Sequence, residues 1–243
     1  MARVFNFSAG PSTLPVPALE RMRDDLLDFQ GSGASLMEQS HRGKVYEKVQ
    51  NDTVAMVKKL LGVPEGYHVL FFQGGATQQF WQVPMNLLKT KADYIVTGAW
   101  AEKAMKAAKK FGTANVAGTS AESNHNHIPA FGSLKLSADA DYVHLCSNNT
   151  IFGTQYRSFP STGGVPLIAD MSSDILSRPF DVKPFGLIYA GAQKNLGPAG
   201  VTLVIIRKDM LKRVQPGLPS MLGYETHASK NSLYNTPPAF AIY

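Results

Sequence analysis

Short apolar runs alternate with amphipathic segments along most of the chain. Apolar runs bounded by glycine or polar residues are typical of buried strands, whereas apolar residues spaced three and four apart indicate helices. The alternation of the two patterns predicts an α/β fold with a mostly parallel central sheet flanked by helices. The predicted strands are His68–Phe72, Tyr94–Val96, Asn115–Ala117, a run ending near Cys146, Pro166–Asp170, Leu187–Ala190 and Val201–Ile206.

Helical spacing appears before the first predicted strand and between the later ones. The predicted helices are Leu14–Phe29, Lys44–Leu61, a segment from Gly74–Gly75 to Leu88, and Ala101–Phe111. The second of these is amphipathic, so one of its faces should pack on the sheet. The apolar residues predicted on or near that face are Val45, Val49, Met56, Val57, Leu60 and Leu61.

Composition narrows the functional classes. The chain has 243 residues, of which 44% are hydrophobic and 17% charged, as in ordinary globular proteins. The net charge of +6 comes from dispersed lysines, which favours a solvated surface over a nucleic-acid interface. No apolar stretch reaches the length of a membrane span. Cys146 is the single cysteine, which excludes an internal disulfide and predicts a cytoplasmic location.

The most informative residue is Lys194, which follows the predicted strand Leu187–Ala190 among small residues. Poor access to water should disfavour its ammonium form and free the amine as a nucleophile. Asp170 ends another apolar strand, and a lysine and a carboxylate at strand ends suit pyridoxal phosphate (PLP) chemistry. Taken singly, such residues are usually a surface turn lysine and a helix-capping aspartate, so the functional interpretation depends on their occurring together with the phosphate site upstream.

Three further features follow predicted strands and should meet Lys194 and Asp170 at one edge of the sheet. Gly74–Gly75 precedes a helix whose free N–H groups can bind an anion. Trp100 can stack on a flat ring, and Thr150 can hydrogen-bond a ring oxygen. A turn, a core tryptophan and a turn cap are the alternative interpretations of these three features.

Eight short motifs occur in order along the chain and together resemble the phosphoserine aminotransferases. That family consists of class-V, fold-type-I enzymes that depend on PLP. The resemblance covers the chain from residue 5 onward, and the number of ordered motifs makes it specific. The motifs are Phe5–Pro11, Met37–Gly43, Gly74–Gly75, Gly98–Trp100, Asn149–Thr154, Ala169–Ser173, Gly191–Asn195 and Asn235–Pro238.

The resemblance implies a role for each matching residue. Lys194 would form the Schiff base with PLP, and Asp170 would pair with the pyridine nitrogen. Trp100 would stack on the ring, and Thr150 would bond the ring oxygen. The residues implied to bind the cofactor phosphate are Ala76, Thr77 and Gln193, joined by Asn235 and Thr236 of a neighbouring subunit in a homodimer.

The implied reaction moves an amino group between glutamate and 3-phosphohydroxypyruvate, giving 2-oxoglutarate and O-phosphoserine in serine biosynthesis. His41 and Arg42 would bind the anionic groups of the substrate. The loop Ala76–Gln78 lacks an arginine that binds the substrate phosphate in some members, so phosphate recognition would depend more on His41, Arg42 and residues elsewhere. The implied organisation is an N-terminal arm at residues 1–15 and a PLP-binding large domain at residues 16–243. The small C-terminal domain of the family is expected to be absent.

Two alternatives remain open from the sequence, and a third possibility, a metal site, is not favoured. The chain could be a catalytically incompetent fragment that binds PLP and dimerises. It could be another fold-type-I enzyme, related to alanine–glyoxylate aminotransferases or cysteine desulfurases. His125 and His127 form a His-x-His pattern that can bind a metal, but no carboxylate-rich companions are evident, so we predict no metal site.

Overall fold

The computed structural model describes residues 3–243 and contains a seven-stranded sheet in the order β1-β7-β6-β5-β4-β2-β3. Strand β7 is antiparallel to both of its neighbours, and the other pairs are parallel, so six strands point the same way. The strands are β1 (Tyr67–Phe72), β2 (Lys91–Val96), β3 (Thr113–Thr119), β4 (Val143–Cys146), β5 (Leu167–Asp170), β6 (Phe185–Gly191) and β7 (Thr202–Arg207).

Seven α-helices accompany the sheet in the described part of the chain. Short 3-10 turns at Phe29–Gly31, Leu36–Glu38, Ala121–Ser123, Phe131–Ser133 and Ser220–Leu222 connect them. The helices are α1 (Val16–Asp24), α2 (Lys44–Leu61), α3 (Gly75–Leu87), α4 (Ala99–Ala108), α5 (Lys208–Leu211), α6 (Tyr224–Ser229) and α7 (Ala239–Ile242).

The core lies on both faces of the sheet. Strands β4, β5 and β6 are buried along their whole length, as expected for parallel strands covered by helices on both sides. Helices α3 and α4 cover one face of the sheet, and they bury Phe80 and Ala104 against it. On the other face, Val57 and Leu61 of α2 pack with residues of β1. The predicted α/β class with a mostly parallel sheet is therefore confirmed.

The helix predictions succeed to different degrees. Helix α2 has the predicted bounds, and a left-handed Gly62 ends it. Helix α1 ends at Asp24, five residues before the predicted end at Phe29, and none of its residues is buried. Without a buried face, little tertiary packing favours a longer helix. A left-handed Gln30 and Gly31 then turn the chain away.

The predicted apolar face of α2 is wrong in part. Val49 and Val57 are buried, whereas Met56 is 59% exposed and Leu60 is 61% exposed. Val45, Val49 and Met56 line a groove of about 790 Å³ between α1, α2 and α7. The sheet therefore covers a narrower stripe of α2 than the hydrophobic pattern predicts. No helix in residues 3–243 is both long enough and apolar enough to cross a membrane.

Candidate active site

The carboxyl ends of the parallel strands bring the predicted residues to one edge of the sheet. Because Cys146, Asp170 and Tyr189 are register partners on β4, β5 and β6, these three strands end nearly in step. The loops that follow β4 and β6 carry Thr150 and Lys194 respectively. The loops after β1 and β2 begin α3 and α4 at the same edge. The predicted clustering of these groups at one edge is thus confirmed.

Lys194 lies between Thr150 and Trp100. Its Nζ donates a hydrogen bond to Oγ1 of Thr150 at 2.5 Å and lies 5.8 Å from the centre of the Trp100 ring. The side chain of Lys194 is partly buried. The Lys194 amine therefore lies close to a hydroxyl group and to an aromatic ring. This arrangement suits a lysine that forms a Schiff base with a planar carbonyl compound.

The N-terminal arm fixes the backbone that carries Lys194. The amide of Ser12 donates to the carbonyl oxygen of Gln193 at 2.9 Å, and the Ser12 hydroxyl donates to the carbonyl oxygen of Lys194. A Cβ atom on Gly10 would lie 2.8 Å from Cγ of Lys194, so only glycine fits there without a shift. Gly10 belongs to the motif Phe5–Pro11, but the sequence pattern alone did not indicate that this motif contacts Lys194.

Asp170 is buried, with 4% of its surface exposed. One carboxylate oxygen, Oδ1, accepts the Ser172 amide at 2.9 Å and the Ser172 hydroxyl at 2.6 Å. Burial raises the pKa of Asp170, while the Ser172 hydrogen bonds and the positive charge of Lys194 oppose that increase. The other oxygen, Oδ2, has no hydrogen-bond partner among residues 3–243. A buried carboxylate with one free oxygen is suited to a protonated ring nitrogen.

The amino end of α3 forms an anion site. Gly74 and Gly75 have left-handed φ values of 82° and 68°, and no side chain caps the helix. The first N–H groups of α3, including those of Ala76 and Thr77, are therefore available to a ligand. A Cβ on Gly191 would lie 3.4 Å from the Ala76 nitrogen and 2.8 Å from Oε1 of Gln193. Because Gly191 has no side chain, the space in front of the amino end of α3 stays open, and this space suits a phosphate group.

Trp100 is held beside the site through the loop that also carries Thr150. Asn149 donates from Nδ2 to the carbonyl oxygen of Thr97, and a Cβ on Gly98 would lie 2.2 Å from that same Nδ2. The indole nitrogen of Trp100 is buried without a partner in the described part of the chain. The ammonium of Lys103 lies 4.5 Å from the centre of the ring.

The predicted substrate residues are not joined to this cluster. Arg42 is exposed, and its backbone amide donates to the Ser40 hydroxyl at 3.3 Å. His41 has a buried Nε2 without a partner within residues 3–243. No hydrogen bond or ion pair between described residues links either side chain to Lys194 or Asp170. Their role in binding substrate stays a prediction.

The segment predicted to reach a neighbouring subunit lies close to the phosphate loop of its own chain. The side chain of Gln73 donates to the carbonyl oxygen of Thr236 at 3.2 Å, and Asn235 donates to the same oxygen at 3.0 Å. Thr236 is exposed and Asn235 is partly buried. The side chain of Thr236 is therefore accessible to a partner subunit.

The groove between α1, α2 and α7 is separate from this cluster. It is lined by Ala192 and Leu196, which flank the Lys194 loop, but by none of the residues predicted to bind cofactor or substrate. The candidate active site is an open edge formed by strand ends and loops, and the groove is not part of it.

Comparison with known proteins agrees with this geometry. The model of the aminotransferase class-V family matches residues 4–243. A phosphoserine aminotransferase of Geobacillus kaustophilus is 58% identical, covering 100% of this chain and 68% of that protein. The solved phosphoserine aminotransferase of Bacillus circulans subsp. alkalophilus has a TM-score of 0.97 at 55% identity, covering 99% of this chain and 67% of that one.

A PLP-bound phosphoserine aminotransferase from Trichomonas vaginalis is also similar, with a TM-score of 0.93 at 42% identity. That match covers 99% of this chain and 68% of the solved one, so the chain spans about two thirds of the length of these relatives. The chain belongs to the class-V aminotransferases and, within them, to the phosphoserine aminotransferase family. The resemblance drawn from the eight motifs is confirmed.

The contact of the arm with Lys194 yields a first prediction. In Gly10→Ala, the new Cβ would press on Cγ of Lys194, so the arm should lift and the Ser12 amide should lose its bond to Gln193. Overpacking that costs about 1–3 kcal/mol should make hydrogen exchange at the Ser12 amide about 5- to 150-fold faster, as measured by NMR.

The matched control for this prediction is Gly132→Ala, because nothing lies within 4 Å of a Cβ built on Gly132. Exchange at Ser12 should be unchanged in the control. If Gly10→Ala leaves the Ser12 amide as protected as in the wild type, the arm does not hold the lysine by this contact.

Proposed function

We propose that the protein catalyses PLP-dependent transamination between glutamate and 3-phosphohydroxypyruvate, yielding 2-oxoglutarate and O-phosphoserine. The observation that carries the proposal is the placement of the Lys194 amine, the Asp170 carboxylate and the open amino end of α3 on one sheet edge. The names of the phosphoserine aminotransferase relatives support phosphoserine as one of the substrates.

PLP is the cofactor proposed for this edge. Its phosphate would bind the N–H groups of Ala76 and Thr77 together with the Gln193 side chain, where Gly191 leaves space. When bound, PLP supplies an electron-withdrawing ring that stabilises negative charge at the α-carbon of an amino acid. The indole nitrogen of Trp100, which is buried and has no hydrogen-bond partner among residues 3–243, is consistent with a ligand at this part of the edge.

The remaining chemistry belongs to side chains of this chain. Asp170, through Oδ2, would hold the proton on the ring nitrogen, because a buried carboxylate is stabilised by a cationic partner. Lys194 would hold the cofactor covalently and, when its amine is released, carry the proton to and from the substrate α-carbon. Thr150 would orient the amine and the ring oxygen, and Trp100 would cover one face of the ring.

Further parts of the proposal concern recognition and assembly. His41 and Arg42 would bind anionic groups of the substrate, for which the planar guanidinium of arginine is well suited. Asn235 and Thr236 would reach the cofactor phosphate of a partner subunit in a homodimer. Residues 1–15 would act as an arm and residues 16–243 as the PLP-binding large domain. The enzyme would act in serine biosynthesis in the cytoplasm.

The second prediction tests cofactor binding through Lys194. Wild-type protein incubated with PLP should show a visible absorbance band, and Lys194→Ala should lack it because no other side-chain amine contacts Thr150 in the described structure. Lys110→Ala, which removes an exposed lysine, should keep the band. A colourless wild type, or a Lys194→Ala variant with the full band, would refute the assignment.

The same preparation tests the reaction. With glutamate as donor, 3-phosphohydroxypyruvate should be consumed at least tenfold faster than unphosphorylated hydroxypyruvate, because a phosphate adds charge-assisted hydrogen bonds of about 1.5–3 kcal/mol. A coupled assay for 2-oxoglutarate reports both rates. Preference for the unphosphorylated acid would indicate another class-V transaminase. If PLP-loaded protein turns over neither acid, the chain binds the cofactor without catalysing the reaction.

The third prediction tests the shared site. Asn235→Asp should weaken PLP binding, because its carboxylate would face the cofactor phosphate. If that phosphate belongs to the partner subunit, mixing Asn235→Asp with Lys194→Ala protein should restore one intact site per mixed dimer. The absorbance band should then return toward half of its wild-type intensity in the mixed dimers. If mixing restores nothing, although exchange of subunits is shown by mass, Asn235 acts within its own subunit.

A further inference from the structure

We propose that Ser172 is a positioning residue for Asp170. Its hydroxyl selects the carboxylate oxygen that faces the cofactor ring nitrogen, and it ties that carboxylate to the strand that leads to Lys194. The inference rests on the proposed function and deepens it, because the sequence motif and the resemblance gave Ser172 no role.

The hydrogen bonds of Ser172 have only one consistent direction. The amide of Gly191 is a donor and lies 3.0 Å from Oγ of Ser172, so the hydroxyl oxygen must accept there. The hydroxyl proton is then directed to Oδ1 of Asp170 at 2.6 Å. Ser172 itself is only 7% exposed, so water does not compete freely for these bonds.

This arrangement distinguishes the two carboxylate oxygens of Asp170. Oδ1 receives the amide and the hydroxyl of Ser172 and so remains a hydrogen-bond acceptor. Oδ2 has no partner among the described residues and is left for the ring nitrogen. Donation to the ionised carboxylate also favours its charged form, against the effect of burial on its pKa. Without the hydroxyl, the carboxylate would be freer to rotate and easier to protonate.

The same hydroxyl connects two strand ends. Asp170 ends β5 and Gly191 ends β6, three residues before Lys194. The position of the carboxylate relative to the lysine loop is therefore set by one side chain in addition to the sheet hydrogen bonds. An ordinary turn after Asp170 would need only the Ser172 amide, so the hydroxyl bridge is an additional feature.

The neighbouring serine provides a natural control. Ser173 lies in the same turn, but its hydroxyl donates to the Asn148 carbonyl oxygen at 3.0 Å and accepts from Asn148 Nδ2 at 2.8 Å. It makes no hydrogen bond to Asp170 in residues 3–243. Removing the Ser173 hydroxyl should disturb the turn without changing the environment of the carboxylate.

The test compares two cofactors in each variant. The affinity of PLP and of its 1-deaza analogue, in which C–H replaces the ring nitrogen, is measured by absorbance titration. Ser172→Ala should weaken PLP binding at least about tenfold, as expected when a hydrogen bond to a charged group is lost. Binding of the 1-deaza analogue, which cannot pair with Asp170, should change less than threefold. Ser172→Thr should restore PLP affinity, and Ser173→Ala should match the wild type for both.

Each outcome has a defined meaning. Equal weakening of PLP and the analogue in Ser172→Ala would show a general structural role and overturn the proposal, as would wild-type PLP affinity in that variant. If Ser172→Ala does not fold, Ser172→Cys replaces it, since a thiol is a weaker donor of similar shape and should give an intermediate loss for PLP alone. A wild type that binds neither compound would refute the proposed function itself.

Discussion

The site depends on the parallel alignment of buried strands that end in step. Asp170 is the register partner of Cys146 on one side and Tyr189 on the other, so a slip of one strand would move the carboxylate away from the Lys194 loop. Complete burial of β4, β5 and β6 specifies that register strongly, because a slip by one residue would turn each side chain to the opposite face and disrupt its packing there. The reactive side chains at the edge are therefore positioned by the packing of strand residues that lie deeper in the sheet.

Hydrogen bonds between the strand ends and loops then fix the side chains that the sheet brings to this edge. Three of them join different strand ends: Asn149 to Thr97, Ser172 to Gly191, and Lys194 to Thr150. The arm adds a fourth contact through Ser12, from the opposite end of the sequence. Two glycines leave the space that these contacts need, because a Cβ on Gly98 or Gly191 would collide with groups of the site. The edge is thus preorganised by short bridges, which limits the reorganisation needed when a ligand binds.

Much of the fold followed from the sequence because its signals are local. The helix Lys44–Leu61 and the strand ends at Asp170 and Cys146 were predicted from periodicity and length. The side chains on the edge followed from strand polarity. The extent of α1, the exposed face of α2 and the bridges of Ser12 and Ser172 were not predictable, because each depends on contacts between distant segments. No local pattern encodes that Ser172, rather than Ser173, contacts the aspartate.

The proposed function requires that Lys194 and Asp170 hold a single PLP molecule between them. The most direct measurement is borohydride reduction of the PLP-loaded protein, followed by peptide mass mapping of the modified lysine. We expect cofactor mass on the peptide that contains Lys194, at one equivalent per chain, and loss of that mass in Asp170→Ala at limiting PLP. Labelling of Lys103, whose ammonium also lies near Trp100, or labelling spread over many lysines, would contradict this assignment.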